Sequence, residues 1–522
     1  MIRRFLLAAL LSVACWSVAR AETVLKALLN IELQILDPQV TNATSTRALG
    51  YLVYDTLFSM DSKGLIRPQM VDRYTVSEDR LTWTFVLRPG LTFHDGSPVT
   101  SEDVLATLRR WGRNDAFGKR LFDSTREMVA ISPDTFELRL SKPFAFVTEA
   151  LGKPNAFVPF IMPAKQLAGA TAKPLSEAVG SGPFVFRKDL WRPGDHAFLD
   201  RFAGYKPRSE PADGFAGGKV AHVDRVELIN IPDVATRIAA IQSGSVDYLE
   251  VIPFDYIPKF SADKNIVLIG QPSMGQIMGG LNVNNTQPPL DKPGIRRAIQ
   301  MAVDQHEIME GMGIPSSMYK PFCQAVFLCG GPFESDVGTE RLRNRSSEIA
   351  KRMAKEAGYN NEPIVLLHST DSATINPMTL VLIDQLRRAG FNIDVQAADY
   401  ATQAQRRMKK EPLDKGGWSL MPVVWSGYDR INPLSHYATS YSCGGTYPGW
   451  NCDPDMPALV ERFSQEIDPL KRKALAEEMQ MRVIENAPEV SLGQFSPPGA
   501  LRANVRGMIA NGMSVFWNVR KD

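Results

Sequence analysis

Histidine and cysteine are scarce in this chain, six and five in 522 residues. No H-E-x-x-H helix, G-x-S-x-G elbow or Walker loop occurs, so the short signatures of metalloproteases, α/β hydrolases and nucleotide hydrolases are missing. His94-Asp95 is a pair that suggests a general base, but the flanking strand and turn give it a sufficient structural reason. Charge of one sign is also lacking: 59 Lys and Arg face 57 Asp and Glu, a net +2. Without residues 1–21, which hold three arginines and no acid, the balance becomes −1. A near-neutral chain gives no global case for a nucleic-acid partner. Apolar residues make up 44% and charged residues 22%, which speaks against disorder and against multiple membrane spans.

What is present begins with an export signal. Arg3-Arg4 precedes an apolar run from Phe5 to Val18, and Ala19-Arg20-Ala21 supplies a small-x-small cleavage site. The run is shorter than the ~20 residues that a spanning helix needs. Residues 1–21 are therefore expected to be a cleaved signal peptide, which places the mature chain in the periplasm. Lipidation at Cys15 is a minor alternative, because the usual Leu three residues earlier is absent. Four cysteines remain, Cys323 with Cys329 and Cys443 with Cys452, and an even count at short spacing in an exported chain reads as two local disulfides. A metal reading fits less well, since neither pair has C-x-x-C spacing and no histidine lies close by.

The stretch Leu81–Val104 reads as strand, turn, strand, turn, helix. Leu81, Trp83, Phe85 and Leu87 alternate with Thr82, Thr84 and Val86, as on a half-buried strand. Arg88-Pro89-Gly90 breaks the run, Leu91 and Phe93 resume it, His94-Asp95-Gly96 turns the chain, and Thr100 with Asp103 opens a helix. This order resembles the W-x-F-x-L-R-x-G, F-H-D-G-x-P and E-D-V pieces of solute-binding protein family 5, whose members serve peptide, oligopeptide and nickel ABC importers. The resemblance implies an α/β, two-lobed periplasmic binding protein fold (type II, cluster C) with an extra α+β domain inserted in the first lobe.

Further segments fit that frame. Leu36-Asp37-Pro38 resembles the family's early loop, and the resemblance places Glu32 toward the ligand. Arg47 to Phe58 reads as a helix, and Phe136, Leu138 and Leu140 as a strand. Gly180-Ser181-Gly182-Pro183-Phe184 resembles the element where the chain returns to the first lobe, its glycines permitting tight turns and close approach. Val223 to Glu250 reads as strand, helix and strand, a crossover that implies a parallel sheet. A second sheet is expected from Ile364–Leu367, Ile393–Val395 and Trp418–Trp425, with helices from Pro293 and through Leu380, Ile383 and Leu386. The expected division is lobe I from 22–46, 176–270 and 488–522, the insert at 47–175, and lobe II at 271–487.

Ligands of open α/β sheets lie beyond the carboxyl ends of strands, so the loop after the Trp418–Trp425 strand is the candidate site. Trp418 and Trp425 offer apolar walls, Ser426 and Gly427 expose backbone, and Asp429 offers a partner for an amine. Dipeptide-binding members of the family carry an Asp directly after W-x-G that grips the ligand's α-amino group. Here Tyr428 stands in that place and Asp429 follows one residue later. Met274, in a segment resembling the family's hinge-side strand, adds an adaptable apolar contact. The reading is a non-enzymatic, monomeric capture protein without cofactor or metal. It closes over a short peptide and delivers it to an inner-membrane ABC permease and ATPase. A non-peptide solute (opine, sugar conjugate or metal chelate) and an extracytoplasmic sensor are the alternatives.

Overall fold

The computed structural model describes residues 22–168, 174–270, 273–440, 442–443 and 447–522. The expected signal peptide, with Cys15, lies outside the described residues. Two open sheets organise the chain. In the first, seven strands run in the order Ile266–Ile269, Gly499–Arg502, Tyr248–Leu249, Val24–Leu28, Arg225–Ile229, His196–Arg201 and Phe184–Phe186. Val24–Leu28 is parallel to both of its neighbours. The helix Val234–Ser243 makes the crossover between them, capped by Asp233 on Thr236 N and ended by Gly244 at φ 78°. Ile238 and Ile241 of that helix are buried and Val234 is exposed.

The second sheet has six strands in the order Tyr319–Lys320, Glu489–Phe495, Ile277–Val283, Leu420–Ser426, Ile364–Ser369 and Ile393–Ala398. The helix Ile375–Arg388 crosses between the parallel strands Ile364–Ser369 and Ile393–Ala398, burying Ile383 and Leu386 and leaving Leu380 exposed. One expectation is corrected here. Residues 488–522 do not return to the first lobe as a block, because Glu489–Phe495 pairs with Ile277–Val283 and Tyr319–Lys320 in the second sheet. The change of sheet comes at Pro497-Pro498: two residues without N–H groups cannot continue a ladder, and Gly499–Arg502 then joins the first sheet.

A third, four-stranded antiparallel sheet is inserted in sequence between Val24–Leu28 and Phe184–Phe186 of the first, in the order Val71–Val76, Thr82–Leu87, Thr135–Leu140 and Thr125–Ser132. Trp83, Phe85 and Leu87 are buried, as are Phe136, Leu138 and Leu140, and the helix Ser101–Asn114 packs Val104, Leu108 and Trp111 into the same core. Asp103 Oδ2 accepts the Thr100 N–H at 2.8 Å, the capping box read from the sequence. Leu91 and Phe93 are buried, but only a single bridge, Thr92 to Pro98, stands where a second strand was expected. The helix expected over Arg47–Phe58 is Thr44–Val53, and its Leu49, Leu52 and Val53 pack with Leu25, Ala27 and Val226 of the first sheet.

His94 has the structural role that its turn suggested. Gly180 N donates to Nδ1 at 3.3 Å and Nε2 meets Gly182 O at 3.1 Å, which ties the hairpin to the returning segment. Burial pushes its imidazole down from 6.5 to about 4. A base whose folded pKa is depressed gives stability that is present above its unfolded value and lost as pH falls through the folded one. An NMR titration of His94 should give a midpoint near 4, with stability declining below pH 6.5. A midpoint near 6.5 would mean that the ring is open to water.

Candidate ligand-binding cleft

The chain passes from the first sheet to the second after Ile269 and back at 496–498, and the loop after Leu420–Ser426 lies against residues 274–276. Gly427 N donates to Gln276 O at 2.7 Å. A Cβ on Gly427 would stand 2.6 Å from Met274 O and 2.8 Å from Leu328 Cδ1, so only glycine admits this approach. Met274 is half-buried and packs both on the first-sheet core and on the Cys323–Cys329 cluster. Both cysteine pairs are disulfides.

Trp425 does not project freely. Its ring lies over Gly280 on the neighbouring strand, where a Cβ would come within 1.8 Å of Cζ3. The ring also carries the Arg430 guanidinium, 3.8 Å from its centroid. Trp425 Nε1 donates to Tyr447 Oη at 3.1 Å, and Tyr437 stacks on Trp425 at 5.5 Å and on Tyr447 at 4.2 Å. Arg430 in turn forms a buried bidentate pair with Glu489 at 2.5 and 2.7 Å. His436, fully buried, lies 3.3 Å from the same carboxylate. Burial alone would raise the Glu489 carboxyl, but Arg430 and His436 outweigh it and hold the group well below the usual carboxylate range. Burial, reinforced by Arg430, pushes His436 down. The result is a rigid aromatic wall on a desolvated ion pair, with the Ser426 hydroxyl beside it buried and without a partner among the described residues.

The sequence-predicted residues divide into two groups. Met274, Trp425, Ser426, Gly427, Tyr428 and Asp429 come together at the crossing between the sheets. Trp418 stands at the far end of the strand, fully buried among Val365, Leu367, Met421 and Val423, and its assignment to the ligand is corrected: it is core. Glu32 lies in a separate shallow groove with Trp191, Arg192 and Asn230. Tyr428 turns away from the cleft into the first-sheet core, against Phe215 at 5.4 Å and Asn511 Oδ1 at 3.4 Å, and burial pushes its phenol up to about 12. Its place among the candidate ligand contacts is likewise corrected, since its ring packs into the first-sheet core.

Asp429 remains at the opening, about a quarter exposed. From the first-sheet side, Arg47 Nη1 stands 3.6 Å from Asp429 Oδ1 and Ala156 N donates to that oxygen at 3.2 Å. Behind them Lys153, also buried, is paired with Asp115 and donates to Ala156 O at 2.6 Å. Sequence reasoning missed Arg47, Lys153 and Asp115. A signal was available only for Arg47, the one charged residue in the helix Thr44–Val53.

The sequence profile described as "Bacterial extracellular solute-binding proteins, family 5 Middle" matches residues 66–447. The chain belongs to this family. Across its whole length, this family-5 protein is 34% identical over 508 residues to a probable peptide ABC transporter periplasmic-binding protein, y4tO, of Sinorhizobium fredii, covering 97% of this chain and 94% of that one. It is 25% identical over 480 residues to the glutathione-binding protein GsiB of Salmonella typhimurium, covering 88% and 86%. Among solved structures, it shares the two-lobed fold of the A. tumefaciens R10 protein AgaA in complex with agropinic acid, with TM-score 0.78, 23% identity, and 96% and 99% coverage. The Helicobacter pylori protein DppA in complex with the peptide STSA matches with TM-score 0.78, 20% identity, and 96% and 98% coverage. A family-5 protein is a solute-binding protein and not an enzyme.

Proposed function

We propose that this chain is the capture component of an ABC importer. It holds an amine-bearing solute, foremost a short peptide or peptide-like compound, between its two lobes and presents it to an inner-membrane permease and ATPase. The carrying observation is Asp429, about a quarter exposed on the corner that follows Trp425-Ser426-Gly427, with no hydrogen bond to its Oδ2 among the described residues. A carboxylate in that position suits an ammonium group, and the aromatic wall suits whatever extends from it. The names of the curated relatives, a probable peptide transporter component and a glutathione-binding protein, favour a peptide-like ligand. The burial of Tyr428 favours a second reading, a non-peptide amino compound such as the opine named for AgaA, since the residue directly after W-x-G does not reach the ligand.

In the same reading, residues 1–21 are removed on export, the mature chain acts in the periplasm as a monomer, and the lobes hinge where the chain crosses between the two sheets, at 496–498 among the described residues. Closure on the ligand is what the permease recognises. Native mass spectrometry of gently purified protein should show a retained small molecule with a free amine. Asp429→Asn should weaken its binding about tenfold or more by calorimetry. An unchanged affinity would remove Asp429 from the site.

A further inference from the structure

Arg47 is built unlike an ordinary structural arginine. The residue is 4% exposed, yet its contacts with Asn42 O at 3.4 Å, Pro154 O at 3.5 Å and Asp429 Oδ1 at 3.6 Å are all long. Its Nε is buried with no partner among the described residues. A buried guanidinium normally fills its fork, and this one holds donor capacity in reserve. Across the cleft Asp429 holds acceptor capacity in reserve on Oδ2. The local charges also balance, with Arg47 and Lys153 facing Asp429 and Asp115. A lone ammonium or a lone carboxylate brought into this notch would leave a charge uncompensated in a poorly hydrated place, whereas a zwitterion would not.

We infer that Arg47 and Asp429 together read a single α-amino-acid head group, its carboxylate on Arg47 and its ammonium on Asp429, with the rest of the solute running along Trp425, Tyr437 and Tyr447. The inference rests on the reading of Asp429 as the amine contact and names the class of ligand that follows from it. The separation of the two side chains, 3.6 Å, selects that class. On one α-carbon the nitrogen and the carboxyl carbon are held about 2.5 Å apart by bonds of about 1.5 Å, whereas the two ends of an extended dipeptide lie about 7 Å apart. An ordinary α-linked peptide would give this site its ammonium and an amide. A γ-linked glutamyl peptide, or an amino acid extended through its side chain, gives both charges at once.

Two isomers separate these cases. γ-Glu-Leu keeps its ammonium and a carboxylate on one carbon, and α-Glu-Leu does not. Titration calorimetry on the mature chain, freed of retained solute by unfolding and refolding, should show the γ isomer binding about tenfold or more tighter. Arg47→Met should erase that preference, Arg47→Lys should restore part of it, and Asp429→Asn should weaken both isomers. Equal or tighter binding of the α isomer, or a preference that survives in Arg47→Met, overturns the inference and leaves the amine contact standing. So does a co-purified solute with a free amine but no carboxylate on the same carbon. If neither isomer binds and the co-purified solute has no amine, Asp429 falls as the amine contact and the head-group reading falls with it.

Discussion

Replacing Glu489 by Gln should lower the stability of the folded chain by about 3–5 kcal/mol, because removing one partner of a buried ion pair leaves the other charge uncompensated. The stranded charge would be Arg430, which is fully inside and held at 2.5 and 2.7 Å by the carboxylate it loses. The effect should reach the cleft, since Arg430 is also the plate stacked on Trp425. Urea unfolding gives the stability loss, and Trp fluorescence in the folded baseline reports the loosened wall. The pH dependence has a definite sign. A carboxyl held below its ordinary value gives stability that is present above the unfolded pKa of about 4.5 and lost as pH falls. The wild type should therefore weaken below pH 4.5 more steeply than the Gln variant does. A loss below about 1 kcal/mol at pH 7 would show that water reaches the pair and that Trp425 is held by packing alone.

Lys153→Met should cost a similar amount, about 3–5 kcal/mol at pH 7, for the same reason with the signs reversed. Asp115 would be left buried and charged while still capping the helix Ala116–Asp123 through Gly118 N at 2.8 Å. Burial already raises the Asp115 carboxyl and lowers the Lys153 ammonium, with their mutual attraction offsetting only part of each shift. Without the lysine the carboxyl rises further. An acid whose folded pKa is raised gains stability as pH falls, so the gap between variant and wild type should narrow toward pH 5. The double variant Lys153→Met with Asp115→Asn should recover part of the loss, a coupling expected only of residues in contact. Urea melts at pH 7 and pH 5 check both statements, and equal losses at the two values would refute them.

Much of the fold was legible because the deciding interactions are local. Alternation at Trp83, Phe85 and Leu87 marks a strand whichever domain surrounds it, and Asp233 and Gly244 bound a helix through their own backbone chemistry. The cysteine pairs were close in sequence and are bonded. The strand at Glu489–Phe495 was legible as a strand segment only after its partners were known, since which sheet a strand joins is set by residues some two hundred positions away. The W-S-G corner was found as a candidate site, but the roles around it were not. Trp418 and Trp425 bracket one strand and look alike in the sequence, yet one is core and the other is a wall.

By itself, the sequence determined the family, the α/β class and the order of many of the elements, because periodicity, caps and turn residues act over a few positions. Only the tertiary structure decided that Tyr428 plugs the far core, that Gly280 makes room for Trp425, and that Arg47 faces Asp429. Each of these depends on contacts between segments more than a hundred residues apart, where burial and charge pairing act on distance in space and leave no periodic trace along the chain.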